Sequence, residues 1–341
     1  MSLKAFLLIV CFALTACAGA QTPSMVPSAL SGGAGTGDGA ETGGRNYLYV
    51  ASHTPGDASI SISRFLLHDG VPEASPDLTI PGYGNLIAVA GNGTLYALGV
   101  GSGYRPSVFA FRPGQTQPSR TIALPSLDHC FPTGSGDFAP VAVAADAAGY
   151  VFVSLYSYDN VLQPRDSKPC EGVWVYAPTA NGQAKPVQII GFPVPSYLNG
   201  LAVDAQDNLY VLQNQVQVVE YSNAVKNPVQ SRVFPEMPDR HTQSLAADAL
   251  GNVFIGRDHG DYTSGRIDRY GPNAKPRQPT SSILLQAPGL HFLYSMATLS
   301  KHVFVDDNFA NVDVYRAFAH GPQSPMFTLE IANVDSIAAG P

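Results

Sequence analysis

The sequence predicts an all-β chain folded as a six-bladed β-propeller, with four-stranded antiparallel blades and a ring closed by strands from both termini. Three observations carry this reading. A strand–turn–strand motif recurs along the chain, which marks a repeat architecture. Each copy is followed by a strand that ends in an aromatic residue. The two ends of the folded part supply complementary fragments of one further copy.

The first element is a leader. Met1-Ser2-Leu3-Lys4 is followed by a nearly apolar run from Ala5 to Ala13 and then by Leu14-Thr15-Ala16-Cys17. One basic residue, a short apolar run and small residues before a cut describe a secretory signal peptide over residues 1–16. The run falls short of the about 20 apolar residues that a spanning helix needs. Leu14-Thr15-Ala16-Cys17 resembles the bacterial lipobox. That resemblance implies a lipoprotein acylated on Cys17, palmitate included, and lodged on the outer side of a membrane in the cell envelope. Two or more acyl chains anchor stably where one does not. Ala18-Gly19 follows with no aspartate, which by the same resemblance favours the outer membrane of a Gram-negative cell.

Residues 17–45 are mostly Gly, Ala, Ser and Thr. Such a segment cannot bury enough apolar surface to offset its ordering entropy, and it reads as a flexible tether. Residues 46–341 then form one domain, a length that closed all-β rings reach as a single unit. Charged residues make up 13% of the chain, and loss of the leader removes Lys4 and no acid, so the net charge moves from -7 to -8. A mildly acidic chain without basic clusters excludes nucleic acid as a partner. Cys130 and Cys170 are the cysteines left in the domain, an even pair in an oxidising compartment, and a disulfide between them is expected. His129 beside Cys130 does not complete a zinc set.

The repeat is clearest in Leu201-Ala202-Val203 to Leu209-Tyr210-Val211. It recurs as Ile87-Ala88-Val89 to Leu95-Tyr96-Ala97, as Val141-Ala142-Val143 to Val151-Phe152-Val153, and as Leu245-Ala246-Ala247 to Val253-Phe254-Ile255. Met296-Ala297-Thr298 to Val303-Phe304-Val305 is a looser copy. Gly91-Asn92-Gly93, Ala148-Gly149, Asp207-Asn208 and Gly251-Asn252 supply turn residues that tolerate positive φ. Third strands end in Phe111, Tyr176, Tyr221, Tyr270 and Tyr315, followed by Pro/Asn/Ala/Gly turns and a short fourth strand. Asn46–Val50 is a second strand without a first, Ile60–Phe65 is its third strand, and Asp335–Gly340 is a first strand without a second. Joined, they complete a sixth blade and protect the terminal edges.

This pattern resembles the NHL repeat and the six-bladed group that includes gluconolactonase and regucalcin, over residues 46–341. The resemblance implies the architecture; function has to be read from the site. Ser196-Tyr197-Leu198-Asn199-Gly200-Leu201 is similar to the Asn-Gly-Leu segment that supplies a metal ligand in the gluconolactonase group. The implied cofactor is a divalent cation such as Ca2+, and the implied activity a metal-dependent lactone hydrolase. The carboxylates of that group find no match at His241-Thr242-Gln243 or at Tyr47-Leu48, and a divalent ion wants several hard oxygens. Asn199-Gly200 also reads simply as a turn entering a strand.

Loops before first strands and loops between second and third strands share one face of a propeller. Candidate ligand-binding residues there are Asn199, His241, Asp258, His259, Asp261, Asp306, Asp307, Asn308 and Asp335, with Asn85, Gln243, Tyr294 and His53 nearby. Asp and Asn in such loops also serve to bond local backbone. No Gly-x-Ser-x-Gly, His-Glu-x-x-His, phosphate loop or dinucleotide fingerprint is present. Lone histidines such as His68, His302 and His320 read as surface or turn residues. The expected function is a monomeric, membrane-tethered binding module for an envelope protein, glycan or small polar ligand. The metal-dependent hydrolase is the alternative.

Overall fold

A computed structural model describes residues 45–53, 60–84, 86–100, 105–125, 138–157, 172–192, 198–235, 240–259, 264–286, 293–307 and 311–341. Cys17, Cys130, Cys170, Asp261 and Asn308, and with them the lipidation, the disulfide and part of the candidate set, lie outside the described residues.

The described residues contain strands and turns but no helix. Blade 1 begins with β1 (Asn46–His53), β2 (Ile60–His68), β3 (Val71–Pro72) and β4 (Leu78–Pro81). Blade 2 is β5 (Leu86–Val89), β6 (Leu95–Val100), β7 (Pro106–Phe111) and β8 (Arg120–Ala123). Blade 3 is β9 (Phe138–Ala145), β10 (Val151–Ser157), β11 (Gly172–Tyr176) and β12 (Gln188–Gly191). Blade 4 is β13 (Leu198–Val203), β14 (Leu209–Gln213), β15 (Gln217–Ser222) and β16 (Val229–Phe234). Blade 5 is β17 (Arg240–Ala247), β18 (Val253–His259), β19 (Gly265–Tyr270) and β20 (Ser281–Leu285). Blade 6 is β21 (Leu293–Leu299), β22 (His302–Asp307), β23 (Asn311–Arg316) and β25 (Phe327–Glu330), with β24 (Gly321–Gln323) in the connection before β25. The last strand, β26 (Val334–Gly340), pairs antiparallel with β1 and completes blade 1 as its inner strand. Six blades closed by both termini are therefore present, as the sequence predicts.

One pairing repeats in all six blades and sets the core. An alanine on the inner strand stands opposite an aromatic on the second strand: Ala338–Tyr49, Ala88–Tyr96, Ala144–Phe152, Ala202–Tyr210, Ala246–Phe254 and Ala297–Phe304. All twelve side chains are buried. Inner strands converge on the axis and leave room only for a methyl group, and the ring beside it fills the widening seam to the next blade. The third-strand aromatics Phe65, Phe111, Tyr176, Tyr270 and Tyr315 close each seam from the following blade and are buried, whereas Tyr221 is half-buried against Phe192.

In blade 3 the residues that align with Leu201-Ala202-Val203 are Val143-Ala144-Ala145, two positions later than the motif suggests. Val141-Ala142-Val143 mimics the repeat, and a shift of two keeps every side chain on its expected face. Two outer edges are covered by the neighbouring blade. β24 pairs in parallel with β20. In blade 2, Ala123 N–H donates to the Gly182 carbonyl at 2.8 Å and Gly182 N–H to the Thr121 carbonyl at 2.7 Å. Such covering removes pairing edges from solvent.

Inner strands start and second strands end on one side of the ring, the loop face. The first-to-second and third-to-fourth connections lie on the other, the turn face.

Candidate functional site

The polar residues expected in loops lie mostly in strands. Asn199, His241, Gln243, Tyr294 and Asp335 belong to inner strands, and His53, Asp258, His259, Asp306 and Asp307 to the ends of second strands. The ladders reach further toward the loop face because five of the inner strands each accommodate one unpaired residue. The register shifts once between Ser154 and Leu155, between Leu198 and Gly200, between Thr242 and Ser244, between Leu293 and Ser295, and between Ala51 and Ser52. The extra residues are Val141, Asn199, Gln243, Tyr294 and Asp335, one from each of five blades. The corresponding position in blade 2, Asn85, lies outside the described residues.

A bulge re-aims the chain locally, and its effect shows in the flanking side chains. Residues two apart in a regular strand share a face. Here they part. Leu293 packs in the cluster shared with blade 5, while the Ser295 hydroxyl accepts the Ile337 N–H of blade 1 at 3.0 Å. Val334 packs with blade 6, while the Ser336 hydroxyl accepts the Ile87 N–H of blade 2 at 3.1 Å. The residue between belongs to neither seam. The bulges thus put Asn199, Gln243, Tyr294 and Asp335 at equivalent places on the loop-face ends of four inner strands, a ring in register.

The chemistry of this ring is that of acceptors. Gln243 is 6% exposed, and its Oε1 and the Oδ1 of Asn199 are buried without a hydrogen-bond partner among the described residues. An unmet buried carbonyl costs about 1–3 kcal/mol, so two at one mouth are a marked feature. Asp335, 8% exposed, has both carboxylate oxygens 3.2 Å from His53 Nδ1. Burial raises its carboxyl above the usual range, and the hydrogen bond and charge of His53 pull it partly back.

The other acids stand elsewhere. Asp258 shares a face of β18 with Phe254, which packs toward blade 6, and Asp307 shares a face of β22 with Val305, which packs toward blade 5. Asp306 shares a face with Phe304, which packs toward blade 1. All three are buried at the loop-face ends of the seams, and the strand pattern keeps them out of the axial ring. His241 is exposed opposite Asp258. Arg257, next to Asp258, is fully buried in β18. Its Nε lies 3.3 Å from Asp268 Oδ2, its Nη1 donates to Thr242 Oγ1 at 2.8 Å and its Nη2 to the Pro235 carbonyl at 3.3 Å. These partners are what allow a guanidinium in the seam between blades 4 and 5.

Among the described residues no three His, Cys, Asp or Glu side chains lie together as a metal group. The ring itself offers two amide carbonyls and one carboxylate already engaged by His53, which is short of the donor set a divalent cation takes.

No protein-family model and no curated protein matches the sequence. Solved structures do match in fold. A protein of unknown function from Bacteroides caccae superposes with a TM-score of 0.52 at 10% identity, over 87% of this chain and 99% of that one. Apo AztD from Citrobacter koseri matches at TM-score 0.40 and 13% identity over 86% and 98% of the two chains. A gluconolactonase-like protein matches at TM-score 0.44 and 15% identity over 77% and 86%. At 10% identity the likeness to the Bacteroides caccae protein is one of fold alone.

Proposed function

We propose that the protein is a membrane-tethered, extracytoplasmic binding module that takes a small polar, donor-bearing ligand at the channel mouth of its loop face. The observation that supports this is the bulge ring, with the buried carbonyls of Asn199 and Gln243 lacking partners beside the His53-held carboxylate of Asp335. Two unmet carbonyl acceptors suit amines and polyols, and the half-buried Tyr294 adds a ring for an apolar face. The tether rests on Leu14-Thr15-Ala16-Cys17 and the Gly-rich segment after it.

A thermal-shift screen of the full chain with neutral oligosaccharides, polyamines and calcium chloride tests this reading. A raised melting temperature with an organic class, reduced in Asn199→Ala and Gln243→Ala, is the expected result. Silence across both organic classes would remove it. A shift with calcium alone, lost in Asn199→Ala, would favour the metal-dependent hydrolase, which the free Asn199 carbonyl also accommodates. Acylation is tested apart from binding, by labelled palmitate and by release of Cys17→Ser into the soluble fraction.

A further inference from the structure

The turn face has a chemistry of its own. Every lysine among the described residues lies on it: Lys185, Lys226, Lys275 and Lys301, all exposed. Arg45, Arg112, Arg277 and Arg316 are exposed there too. Its acids are Asp69, Glu73 and the Arg64-paired Asp77 on blade 1, Asp207 on blade 4, and the buried turn carboxylates Asp146, Asp204 and Asp248. On blades 5 and 6 the exposed charges of these connections are all basic. The connections 248–252, 271–280, 300–301 and 317–326, with Arg316 at the end of β23, carry Lys275, Arg277, Lys301 and Arg316, and their one acid, Asp248, is buried.

Exposed apolar side chains favour the same face. Leu250 at 61%, Phe318 at 46% and Met326 at 46% lie on turns or strand starts of blades 5 and 6, and Val187 and Val229 begin outer strands at its rim. Of the large hydrophobics exposed among the described residues, only Leu284 lies elsewhere. The Arg269 guanidinium lies 4.6 Å from the Phe318 ring centroid, which holds that ring at the surface. The chain also enters the ring here. Arg45 precedes β1, whose first residue Asn46 pairs with Leu67 beside the Asp69-Gly70 turn.

We infer that the turn face of blades 5 and 6 docks on a bilayer surface of anionic phospholipid, with Lys275, Arg277, Lys301 and Arg316 on the headgroups and Leu250, Phe318 and Met326 at the interface. Each basic residue near an anionic surface favours binding, and apolar side chains at the boundary add to that. The arrangement turns the acceptor ring away from the membrane. It draws on the tether for where the chain enters the ring, not on acylation of Cys17.

The test uses the full chain carrying Cys17→Ser, so that no acyl chain contributes. It is sedimented with vesicles of phosphatidylcholine alone, or of phosphatidylcholine with one-third phosphatidylglycerol. Preference for the anionic vesicles is expected, falling as salt shortens the screening length to about 10 Å at 0.1 M. Lys275→Glu with Arg277→Glu and Arg316→Glu should weaken that preference by about tenfold or more. Single Lys275→Glu, at an exposed position, should weaken it less, and Glu330→Gln, exposed at the loop-face end of β25, should leave it unchanged. Equal partition of the parent on both vesicles would overturn the inference, as would a triple variant of unchanged melting temperature that binds like the parent. Acylation found together with no charge preference would remove this surface and leave the tether standing.

Discussion

His53 and Asp335, 282 positions apart in the sequence, meet at 3.2 Å where the last strand of the chain joins the first. The pair sits beside the backbone clasp in which His53 N–H donates to the Asn333 carbonyl and Asn333 Nδ2 to the His53 carbonyl, both at 3.1 Å. Burial outweighs His53 in setting the Asp335 carboxyl, so its folded pKa lies above the unfolded one. The stability it contributes is therefore present below the unfolded pKa and lost as pH rises through the folded pKa. His53→Ala takes away the group that limits this loss. It should cost about 1 kcal/mol at pH 7, a modest figure because the imidazole is half exposed, and less near pH 4. Adding Asp335→Asn should restore most of it. Melting temperatures of the two variants across pH 4–8 check this, and a single variant equally weakened at both ends would contradict it.

Asp146 and Asp204 occupy the same turn position in blades 3 and 4 with opposite consequences. Asp204 accepts from Gln206 N–H, Asn208 N–H, Asn208 Nδ2 and the Tyr210 hydroxyl at 2.8–3.0 Å. Asp204→Ala should cost about 2–4 kcal/mol, since it also strands the buried Tyr210 hydroxyl. The Asp146 carboxyl accepts Tyr150 N–H at 2.8 Å, but its Oδ2 is buried without a hydrogen bond, and burial pushes it up to about 6. Its contribution to stability is lost as pH rises between about 4 and 6. Asp146→Asn should hence stabilise by about 1–2 kcal/mol at pH 7 and converge with the parent near pH 4, measured by urea titration at both values.

The Asp69-Gly70 turn of blade 1 rests on His302 of blade 6. Gly70 has φ +79°, and a Cβ there would lie 2.0 Å from His302 Nδ1. Gly70→Ala should cost more than about 2 kcal/mol, with conformational strain and overlap adding. Combined with His302→Ala, the loss should be smaller than the sum of the two single variants, because the overlap is gone. Burial first, then Arg316 and Lys301, lowers the His302 pKa despite Asp69. Its contribution is present above the unfolded pKa and lost as pH falls through the folded one, and His302→Gln should flatten that acid limb. Denaturant midpoints of Gly70→Ala, His302→Ala, their combination and the parent decide the first point, and those of His302→Gln and the parent as pH falls decide the second.

The ring was legible in the sequence because its strands alternate and its termini are complementary. Closure by β26 follows from Asp335–Gly340 alone. The alanine–aromatic pairs such as Ala202–Tyr210 were present in the motif as written, yet their pairing is a matter of register. The bulges were not legible. One extra residue shifts the phase of a strand without leaving a compositional mark, so Asn199 and Gln243 read as loop residues and blade 3 aligned two positions early. The burial of Arg257 was not legible either: its partners Asp268, Thr242 and the Pro235 carbonyl come from a neighbouring strand, an inner strand and another blade. His302 read as a surface residue because the turn that covers it lies some 230 residues earlier in the chain.

Gln243 separates a residue kept for binding from one kept for folding. Its carbonyl is buried without a hydrogen bond among the described residues, and its neighbours Thr242 and Ser244 face the seams. If the fold alone set this position, an apolar side chain of the same length would serve it better. Replacing an unmet polar group by an apolar one of similar shape is neutral to stabilising, and Met adapts to irregular space. Gln243→Met should raise stability by about 1–2 kcal/mol and weaken any ligand found in the thermal-shift screen, the usual trade between stability and function. Calorimetry of the variant with and without that ligand measures both. A variant less stable than the parent would show that the carbonyl is structural, and would leave Asn199 as the acceptor on which the ring depends.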